Sequence, residues 1–316
     1  MISSILNTMT KRLTRYLALP LLALMAACND QDFVPPAFIS VDAFKVTAPD
    51  EDAFTTDSGF YTSNVVAAQV VAAFPGDEAE TVLGSFRLPF TIPVLYNGTP
   101  DYIIIYPEVA HSGVMSTLPY YSFYEAIRLV GQTLTSGDTL KLGTLTTLYD
   151  SRTDYPHIFE PFEPTQANIQ MDSVEWIRID REGACTGEGY GHVHVDPSAT
   201  HAKFAINVGR KFNGLDFYVD NPQKIVYLEL DIRSDLKVQV NMTSQRYEGI
   251  NQTTEQVMVI NPSDDWKHMY INLEPAWRVF NHNKSFSVSF SALNADGVGG
   301  DVYIDNVKLL TTAKTL

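Results

Sequence analysis

The sequence predicts an all-β protein built from two β-sandwich domains. Short runs that alternate apolar and polar residues recur along the chain, and turn-forming residues separate them. A chain of 316 residues with 45% apolar content can fill two cores. A segment with three prolines at 152–164 divides the runs into two groups. We therefore expect an amino-terminal sandwich at 38–155 and a carboxy-terminal one at 156–312.

The amino-terminal group begins with alternating residues at 38–46. Residues 64–74 are apolar and β-branched, which fits a buried strand or a short helix. Runs at 83–95 and 101–106 flank Asn97-Gly98, a dipeptide typical of tight hairpins. The pattern therefore predicts that these two runs pair as a hairpin. Further extended segments are expected at 120–124 and 140–149.

The carboxy-terminal group contains many short alternating runs, as antiparallel strands with one solvated face require. These runs lie at 191–196, 225–233, 236–241, 256–260, 266–273, 285–291 and 300–310. Regular spacing of such runs is typical of a sandwich.

The first 28 residues have the organisation of an export signal. Lys11, Arg12 and Arg15 precede a 12-residue apolar run, which is shorter than the roughly 20 residues that a membrane-spanning helix needs. The run ends in Leu24-Met-Ala-Ala-Cys28, which resembles the lipobox of bacterial lipoproteins. That resemblance implies that residues 1–27 are removed and that Cys28 carries acyl chains, palmitate among them.

Residues 28–37 follow as an acidic, proline-containing tether. Its acidic start resembles the surface-export signal of Bacteroidota lipoproteins. The expected location is therefore the outer membrane, with the cell surface as one alternative and the periplasmic leaflet as the other.

Charge and cysteine content exclude two classes of function. Without residues 1–27 the chain has 19 basic and 37 acidic residues, a net charge of −18, so a nucleic-acid footprint is not expected. If Cys28 is acylated, Cys185 is the remaining cysteine and no intramolecular disulfide can form. Cys185 has no basic neighbour in sequence, so we expect a packed side chain and not a nucleophile.

Two further resemblances concern the domains. The segments at 84–95, 103–107 and 120–124 are similar to an amino-terminal module of Bacteroidota lipoproteins and to PEGA-type sandwiches, which have an Ig-like all-β fold. Phe159-Glu160 and Phe162-Glu163 resemble the opening strand of carbohydrate-binding-type jelly rolls, and Gly300–Leu310 resembles their closing strand. The second resemblance implies a galactose-binding-like jelly roll in the carboxy-terminal half.

Aromatic residues in loops are the candidates for ligand binding, and four carboxylates are the candidates for metal binding. Glycan binding uses exposed aromatic rings, and the aromatic residues in apparent loops are Trp277, Tyr218, Tyr247 and Tyr190. Trp176 and Trp266 fall within strand patterns, so we expect them in the core. The jelly-roll resemblance also implies a structural calcium between the first and last strands, at Glu160 or Glu163 and at Asp301 or Asp305. No other cofactor is expected.

Two patterns resemble enzyme or metal sites incompletely. Glu229-Leu-Asp231 is similar to part of the catalytic strand of jelly-roll β-glucanases, but Arg233 and Ser234 stand where the further carboxylate would fall. Its alternation predicts a solvated strand face. His192 and His194 lie on one side of a strand near Asp196, but the glutamate of a cupin-type metal site is missing.

The leading hypothesis is a non-enzymatic, lipid-anchored envelope protein whose jelly roll binds a glycan or another surface polymer. A structural lipoprotein that binds a protein partner in the envelope is the second hypothesis. A glycoside hydrolase is the third.

Overall fold

The computed structural model describes residues 34–47, 58–116, 118–150, 153–163, 177–178, 183–205, 225–247, 250–279 and 285–312. Their regular secondary structure is almost entirely β-strand, so the predicted all-β fold class is confirmed. The strands of the amino-terminal half are β1 Ala37–Val41, β2 Ala43–Val46, β3 Ala67–Ala73, β4 Thr81–Arg87, β5 Phe90–Val94, β6 Tyr102–Glu108, β7 Ile127–Leu129, β8 Thr139–Lys141 and β9 Thr144–Thr147. A 3₁₀ turn, Ser58–Tyr61, lies between β2 and β3.

The carboxy-terminal half contains ten described strands and one short helix, α1 Glu274–Val279. The strands are β10 Thr153–Glu160, β11 Ile177–Arg178, β12 Gly191–Val195, β13 His201–Ala205, β14 Val226–Ser234, β15 Lys237–Tyr247, β16 Ile250–Ile260, β17 Ser263–Asn272, β18 Ser285–Leu293 and β19 Gly300–Thr312.

The amino-terminal strands enclose a core of aliphatic side chains. Strand β1 buries Ala37, Ile39 and Val41 and leaves alternate residues half-exposed, as its sequence pattern predicts. It pairs antiparallel with β5 and parallel with β8. A second sheet has the order β4-β3-β6-β7 and contributes Val70, among others, to the same core.

The predicted hairpin at Asn97-Gly98 is wrong. Strand β5 pairs with β1, and β6 pairs with β3 in the other sheet. Gly98 exchanges backbone hydrogen bonds with Leu134 at 2.8 Å, so this segment crosses from one sheet to the other. Burial of Ile103 and Ile105 against the shared core determines the partner of β6, and the local turn signal does not. Residues 120–124 form bridges and a turn instead of the expected extended segment.

The carboxy-terminal strands form two sheets that pack face to face. The first sheet has the order β11-β12-β19-β14-β17, and β10 also pairs with β19. The second has the order β13-β18-β15-β16. Their facing side chains form one hydrophobic core, in which Leu230, Ile304, Val240 and Phe290 are completely buried. This is the sandwich that the alternating runs predict.

The amino-terminal sandwich packs against the outer face of the first carboxy-terminal sheet. A cluster of buried aromatic and aliphatic residues crosses the boundary between the two halves. The members of this cluster include Val46, Phe60, Tyr121, Phe123, Tyr124 and Tyr149 from the first half, and Tyr227, Tyr270 and Leu310 from the second. Strand β14 is consequently covered on both faces from Val226 to Ile232, and Arg233 near its end is half-exposed.

Among the described residues, no helix has the length and apolar character needed to cross a bilayer. The apolar run before Cys28 lies outside the described residues.

Candidate functional site

The outer face of the first carboxy-terminal sheet concentrates the polar and aromatic side chains of the molecule. On β14 this face carries Tyr227, Glu229, Asp231 and Arg233, which alternate with the buried Leu228, Leu230 and Ile232. Strands β17, β19 and β12 add their own alternate residues beside them. The amino-terminal sandwich covers one half of this face. In the other half, which we call the open half, the described side chains remain half-exposed.

Glu229 lies at the centre of the covered half and is completely buried. Its Oε1 accepts a hydrogen bond from the Tyr121 hydroxyl at 2.6 Å, and its Oε2 accepts one from the Tyr149 hydroxyl at 2.8 Å. Lys308 Nζ lies 2.8 Å from the same Oε2. Burial would raise the pKa of Glu229, but the Lys308 charge and the hydrogen bonds hold it below its ordinary value.

Lys308 joins the two sandwiches. It is completely buried on β19, opposite Glu229 on β14. Its ammonium group donates hydrogen bonds to the Phe60 carbonyl at 2.8 Å and to the Tyr149 hydroxyl at 2.9 Å, both in the amino-terminal half. The Lys308 ammonium group therefore contacts both halves of the chain.

His268 and Asp231 continue the network toward the open half. The His268 Nδ1 atom lies 2.8 Å from Asp231 Oδ1, and Nε2 lies 3.7 Å from Glu229 Oε2. Burial would lower the pKa of His268, but the adjacent Asp231 and Glu229 carboxylates raise it. Asn306 donates to Asp231 Oδ2 at 2.9 Å and holds that carboxylate from the other side.

The loop around Cys185 closes over this network. Asp305 Oδ2 accepts hydrogen bonds from the backbone N–H groups of Cys185 at 3.2 Å and Thr186 at 3.3 Å. Burial raises the pKa of Asp305 to about 8, although the backbone N–H groups of Thr186, Asn306 and Cys185 lower it. Burial, followed by the nearby Asp231 and Asp305, raises the pKa of Cys185 to about 12. The thiol is therefore not a nucleophile at neutral pH.

Glycine at position 59 permits the close approach of the two halves. A Cβ atom built on Gly59 would overlap Asn306 Oδ1 and would lie 2.7 Å from Thr186 Oγ1. The backbone of the 3₁₀ turn therefore packs directly on the side chains above β19.

The expectation that Glu229 and Asp231 lie on a solvated face is wrong. They are 0% and 2% exposed, because the amino-terminal sandwich occupies the space where water was expected. Their carboxylate oxygens bind tyrosine, lysine, histidine and asparagine side chains. These two carboxylates form no open cleft of the kind a glycosidase needs.

The open half carries four half-buried side chains in a row across four neighbouring strands. We call these the aromatic row: Trp266 on β17, Arg233 on β14, Tyr303 on β19 and His192 on β12. Arg233 Cζ lies 4.3 Å from the Tyr303 ring centre and 5.5 Å from that of Trp266. The His192 ring stacks on Tyr303 at 4.8 Å with an interplanar angle of 13°.

Contacts with Tyr190 and Gly183 fix the rings of the aromatic row. Tyr190 is only 3% exposed, and its ring makes edge contacts with Trp266 at 6.0 Å and with Tyr303 at 5.6 Å. The Trp266 indole N–H donates to the Gly183 carbonyl at 2.8 Å. The rings are therefore held in fixed orientations before any ligand binds.

A carboxylate and two histidines lie at one end of the aromatic row. Asp301 Oδ1 lies 2.8 Å from His192 Nε2 and 2.7 Å from His194 Nδ1. Burial would raise the pKa of Asp301, but these hydrogen bonds lower it below its ordinary value. The His194 side chain is 58% exposed, so this end of the row presents polar groups to solvent.

The structure places the four residues expected at calcium in separate hydrogen-bonded environments. Glu160 accepts from the Phe162 N–H, Glu163 accepts from the Glu188 N–H, and Asp301 and Asp305 have the partners given above. Across the described residues, no group of three or more Asp, Glu, His or Cys side chains is arranged to hold a metal ion. The calcium assignment stays a prediction.

Of the four aromatic residues expected to bind ligand, Tyr190 is described in full, and it is packed behind the aromatic row. Tyr218 lies outside the described residues, as do the side chains of Tyr247 and Trp277 and the whole of Cys28 and Trp176. Trp266 was expected in the core, and it is half-exposed on the outer face. Trp266 and Lys267 are consecutive in the strand, so their side chains lie on opposite faces. The sequence does not tell which of the two faces is the exposed one.

No family model matches the chain, and no curated protein matches it. Solved structures of carbohydrate-binding modules are similar to about half of it.

One of these structures is a point mutant of the family 29 module CBM29-2 in complex with cellulohexaose. It has 14% identity and a TM-score of 0.33, and the match covers 52% of this chain and 94% of that chain. A family 30 module has 16% identity and a TM-score of 0.33, covering 51% of this chain and 84% of that chain. At these values no ligand and no binding residue transfers to this protein.

Proposed function

We propose that this protein is a non-enzymatic glycan-binding protein of the cell envelope, anchored to the outer membrane through acylated Cys28. The aromatic row is the binding surface. One observation carries this proposal: Trp266, Arg233, Tyr303 and His192 form a rigid, half-exposed row on a sheet face whose other half is sealed.

The chemistry of the row suits a sugar chain. Flat aromatic rings bind the apolar C–H face of a sugar, and a few fixed polar groups orient its hydroxyls. Trp266 supplies the ring, because His192 and Arg233 lie against the Tyr303 ring from the two neighbouring strands. Arg233, His194 and Asp301 supply donors and an acceptor. Neighbouring strands lie about 4.8 Å apart, so the four side chains extend over roughly 14 Å. That length accommodates an oligosaccharide lying across the strands.

The covered half supports a binding role without hydrolysis. Glu229 and Asp231 are the carboxylates that sequence similarity to glucanases suggests, and protein groups occupy them both. The Asp301 carboxylate in the open half is bound by two histidines. Glycoside hydrolysis normally needs two carboxyl groups on either side of the bond that is cleaved.

The anchor assignment rests on the sequence around Cys28 and on the tether that follows it. Without residues 1–27 the chain has a net charge of −18 and gains nothing from electrostatic docking on anionic lipid, so the acyl group provides the membrane attachment. Metabolic labelling with a palmitate analogue tests this assignment. We expect label on the natural protein and none on a Cys28→Ser variant, and an unlabelled natural protein would overturn the anchor.

Affinity gels test the glycan proposal. The full chain is run through gels that contain bacterial, algal or plant polysaccharides, beside the variants Trp266→Ala and Tyr120→Ala. Tyr120 is a matched control because it is 56% exposed on the other sandwich. We expect one polymer to retard the natural protein and Tyr120→Ala, and retardation to fall at least about tenfold in Trp266→Ala.

Two results would contradict the proposal. Retardation that is unchanged in a folded Trp266→Ala variant would remove the aromatic row from the binding site. Absence of retardation across a broad panel would overturn glycan binding, and a protein partner in the envelope would replace it as the leading hypothesis.

A further inference from the structure

A groove lies between the two sandwiches, next to the aromatic row. Its volume is about 380 Å³, and both halves of the chain line it. Residues 110–115 form the wall on the amino-terminal side, and strands β16 and β17 form the wall on the other side. This volume is within the range of small-ligand sites, and domain boundaries are common places for such sites.

The wall formed by residues 110–115 is fixed to β17. The Ser112 N–H donates to the Tyr270 carbonyl at 2.6 Å, and the Tyr270 hydroxyl accepts from the Asn64 N–H at 2.8 Å. His111 Nδ1 lies 2.6 Å from the Tyr227 hydroxyl. The groove therefore has its shape only when both sandwiches are in contact.

The groove is lined by a basic residue, although the protein as a whole is acidic. The chain carries 37 acidic residues, but none of those in the described part of the chain lines the groove. Lys267 lines it from β17 and is exposed, and no described carboxylate pairs with it. Arg87 lies at the opposite rim, where it donates to the Met115 carbonyl at 2.8 Å. Exposed cations on two sides with no described acid between them favour an anionic ligand.

Uncharged groups in the groove match a sugar ring more closely than a bare anion. Met115, Met258 and Met269 provide adaptable apolar surface. The exposed side chains of Asn64 and Asn261 provide amide donors and acceptors beside Lys267.

Strand β17 connects the groove to the aromatic row. Trp266 ends the row on the outer face of β17, and Lys267, the next residue, points to the opposite side of the same strand. Beyond β17 there is no further strand in this sheet among the described residues. A polymer that crosses the row perpendicular to the strands therefore leaves the sheet over β17 and meets the groove.

We propose that this groove is a second subsite that binds an acidic sugar unit, carrying a carboxylate or a sulfate, of the glycan held by the aromatic row. Lys267 contacts the anionic group, and Arg87 attracts it from the rim. This inference rests on the proposed glycan-binding function and adds to it a preference for acidic polymers.

The test compares polymers that differ in charge and share a backbone. Polygalacturonate is compared with its fully methyl-esterified form, and dextran sulfate with dextran, by affinity gels of the full chain at low and physiological salt. The variants are Lys267→Met and, as a matched control, Lys237→Met, an exposed strand lysine on the other sheet. Both replace lysine with an unbranched, uncharged side chain that is one heavy atom shorter.

We expect one acidic polymer to bind about tenfold more tightly than its neutral counterpart, and this preference to disappear in Lys267→Met and persist in Lys237→Met. The preferred polymer, uronate or sulfate, identifies the anionic group. Equal binding of acidic and neutral polymers, unchanged in Lys267→Met, would overturn the subsite and leave glycan binding by the row intact. Lack of binding by every polymer, charged or neutral, would overturn both proposals.

Discussion

The two halves of one sheet face are made by the same strands and differ in what covers them. In the covered half, Glu229, Lys308 and His268 are buried, and protein groups bind each of them. In the open half, Arg233, Trp266 and Tyr303 contact one another and remain half-exposed. The comparison shows that charged and aromatic residues on a strand can serve either domain assembly or binding, and that the neighbouring domain decides which.

The largest loss of stability is expected from Lys308→Met, which removes the cation of the covered half. The variant leaves the Glu229 carboxylate buried without its cation, and removing one partner of a buried pair typically costs about 3–5 kcal/mol. Denaturant unfolding monitored by intrinsic fluorescence and circular dichroism measures the loss. The double variant Lys308→Met/Glu229→Leu should recover much of the stability, and a loss below about 1 kcal/mol in the single variant would contradict the role given to the pair.

A smaller loss of stability is expected from Tyr121→Phe. The change removes the hydroxyl that donates to Glu229 at 2.6 Å and keeps the packing of the ring. Hydrogen bonds to charged groups contribute about 1.5–3 kcal/mol, so unfolding should become easier by that amount. Tyr120→Phe is the control, because its ring is 56% exposed and its loss should be within about 0.5 kcal/mol. Equal effects of the two variants would show that burial of the network does not matter.

The boundary between the two halves is expected to make stability depend on pH. The pKa of Asp305 is raised by burial from 3.8 to about 8, so the folded protein keeps a proton that the unfolded chain has lost above about pH 4. The corresponding stability is present at low pH and is lost as the pH rises toward 8. His268, whose pKa is also raised, acts in the same direction.

Asp305→Asn tests this dependence, because asparagine has no proton to lose. The decrease in Tm between pH 5 and pH 8 should be smaller than in the natural protein by at least about 2–4 °C, the shift that 1 kcal/mol gives in a domain of 150–250 residues. Asp264→Asn, at an exposed position of β17, should leave the decrease unchanged. A variant at position 305 with the natural pH profile would contradict a raised pKa there.

The smallest effect is expected in the open half, from His194→Ala. Its side chain is 58% exposed, and its contact with Asp301 is screened by solvent. The free energy of unfolding should change by less than about 0.5 kcal/mol in the same denaturant experiment. A loss as large as that of Tyr121→Phe would show that the open half is also structural.

The sequence predicts much of the carboxy-terminal sandwich because alternation and strand length are local properties. Gly300–Leu310 and Ile225–Arg233 were expected as strands, and they form β19 and β14 side by side. The pairing of β5 was not predictable from Asn97-Gly98, because a turn signal does not identify the core that a strand joins.

The site was less predictable than the fold for a physical reason. Alternation at Glu229-Leu-Asp231 shows that two residues leave the core of their own domain, but it does not tell whether they meet water or another domain. Trp266 and Tyr303 lie 37 residues apart in the sequence. They belong to one row because β14 lies between β17 and β19 in the sheet and pairs with both. The sequence therefore predicts binding by aromatic residues in loops, whereas the row consists of strand residues.

The position of β19 also constrains the order in which the chain can fold. This strand pairs with β10, β12 and β14, so residues 300–312 join parts of the sheet that are otherwise separate. Synthesis from the amino terminus produces these residues after all the strands they pair with. Until β19 is in place, the Glu229 carboxylate lacks the Lys308 ammonium group that lies 2.8 Å from it in the folded protein. The first carboxy-terminal sheet and the boundary between the two halves are therefore completed in the same step, by the last described strand of the chain.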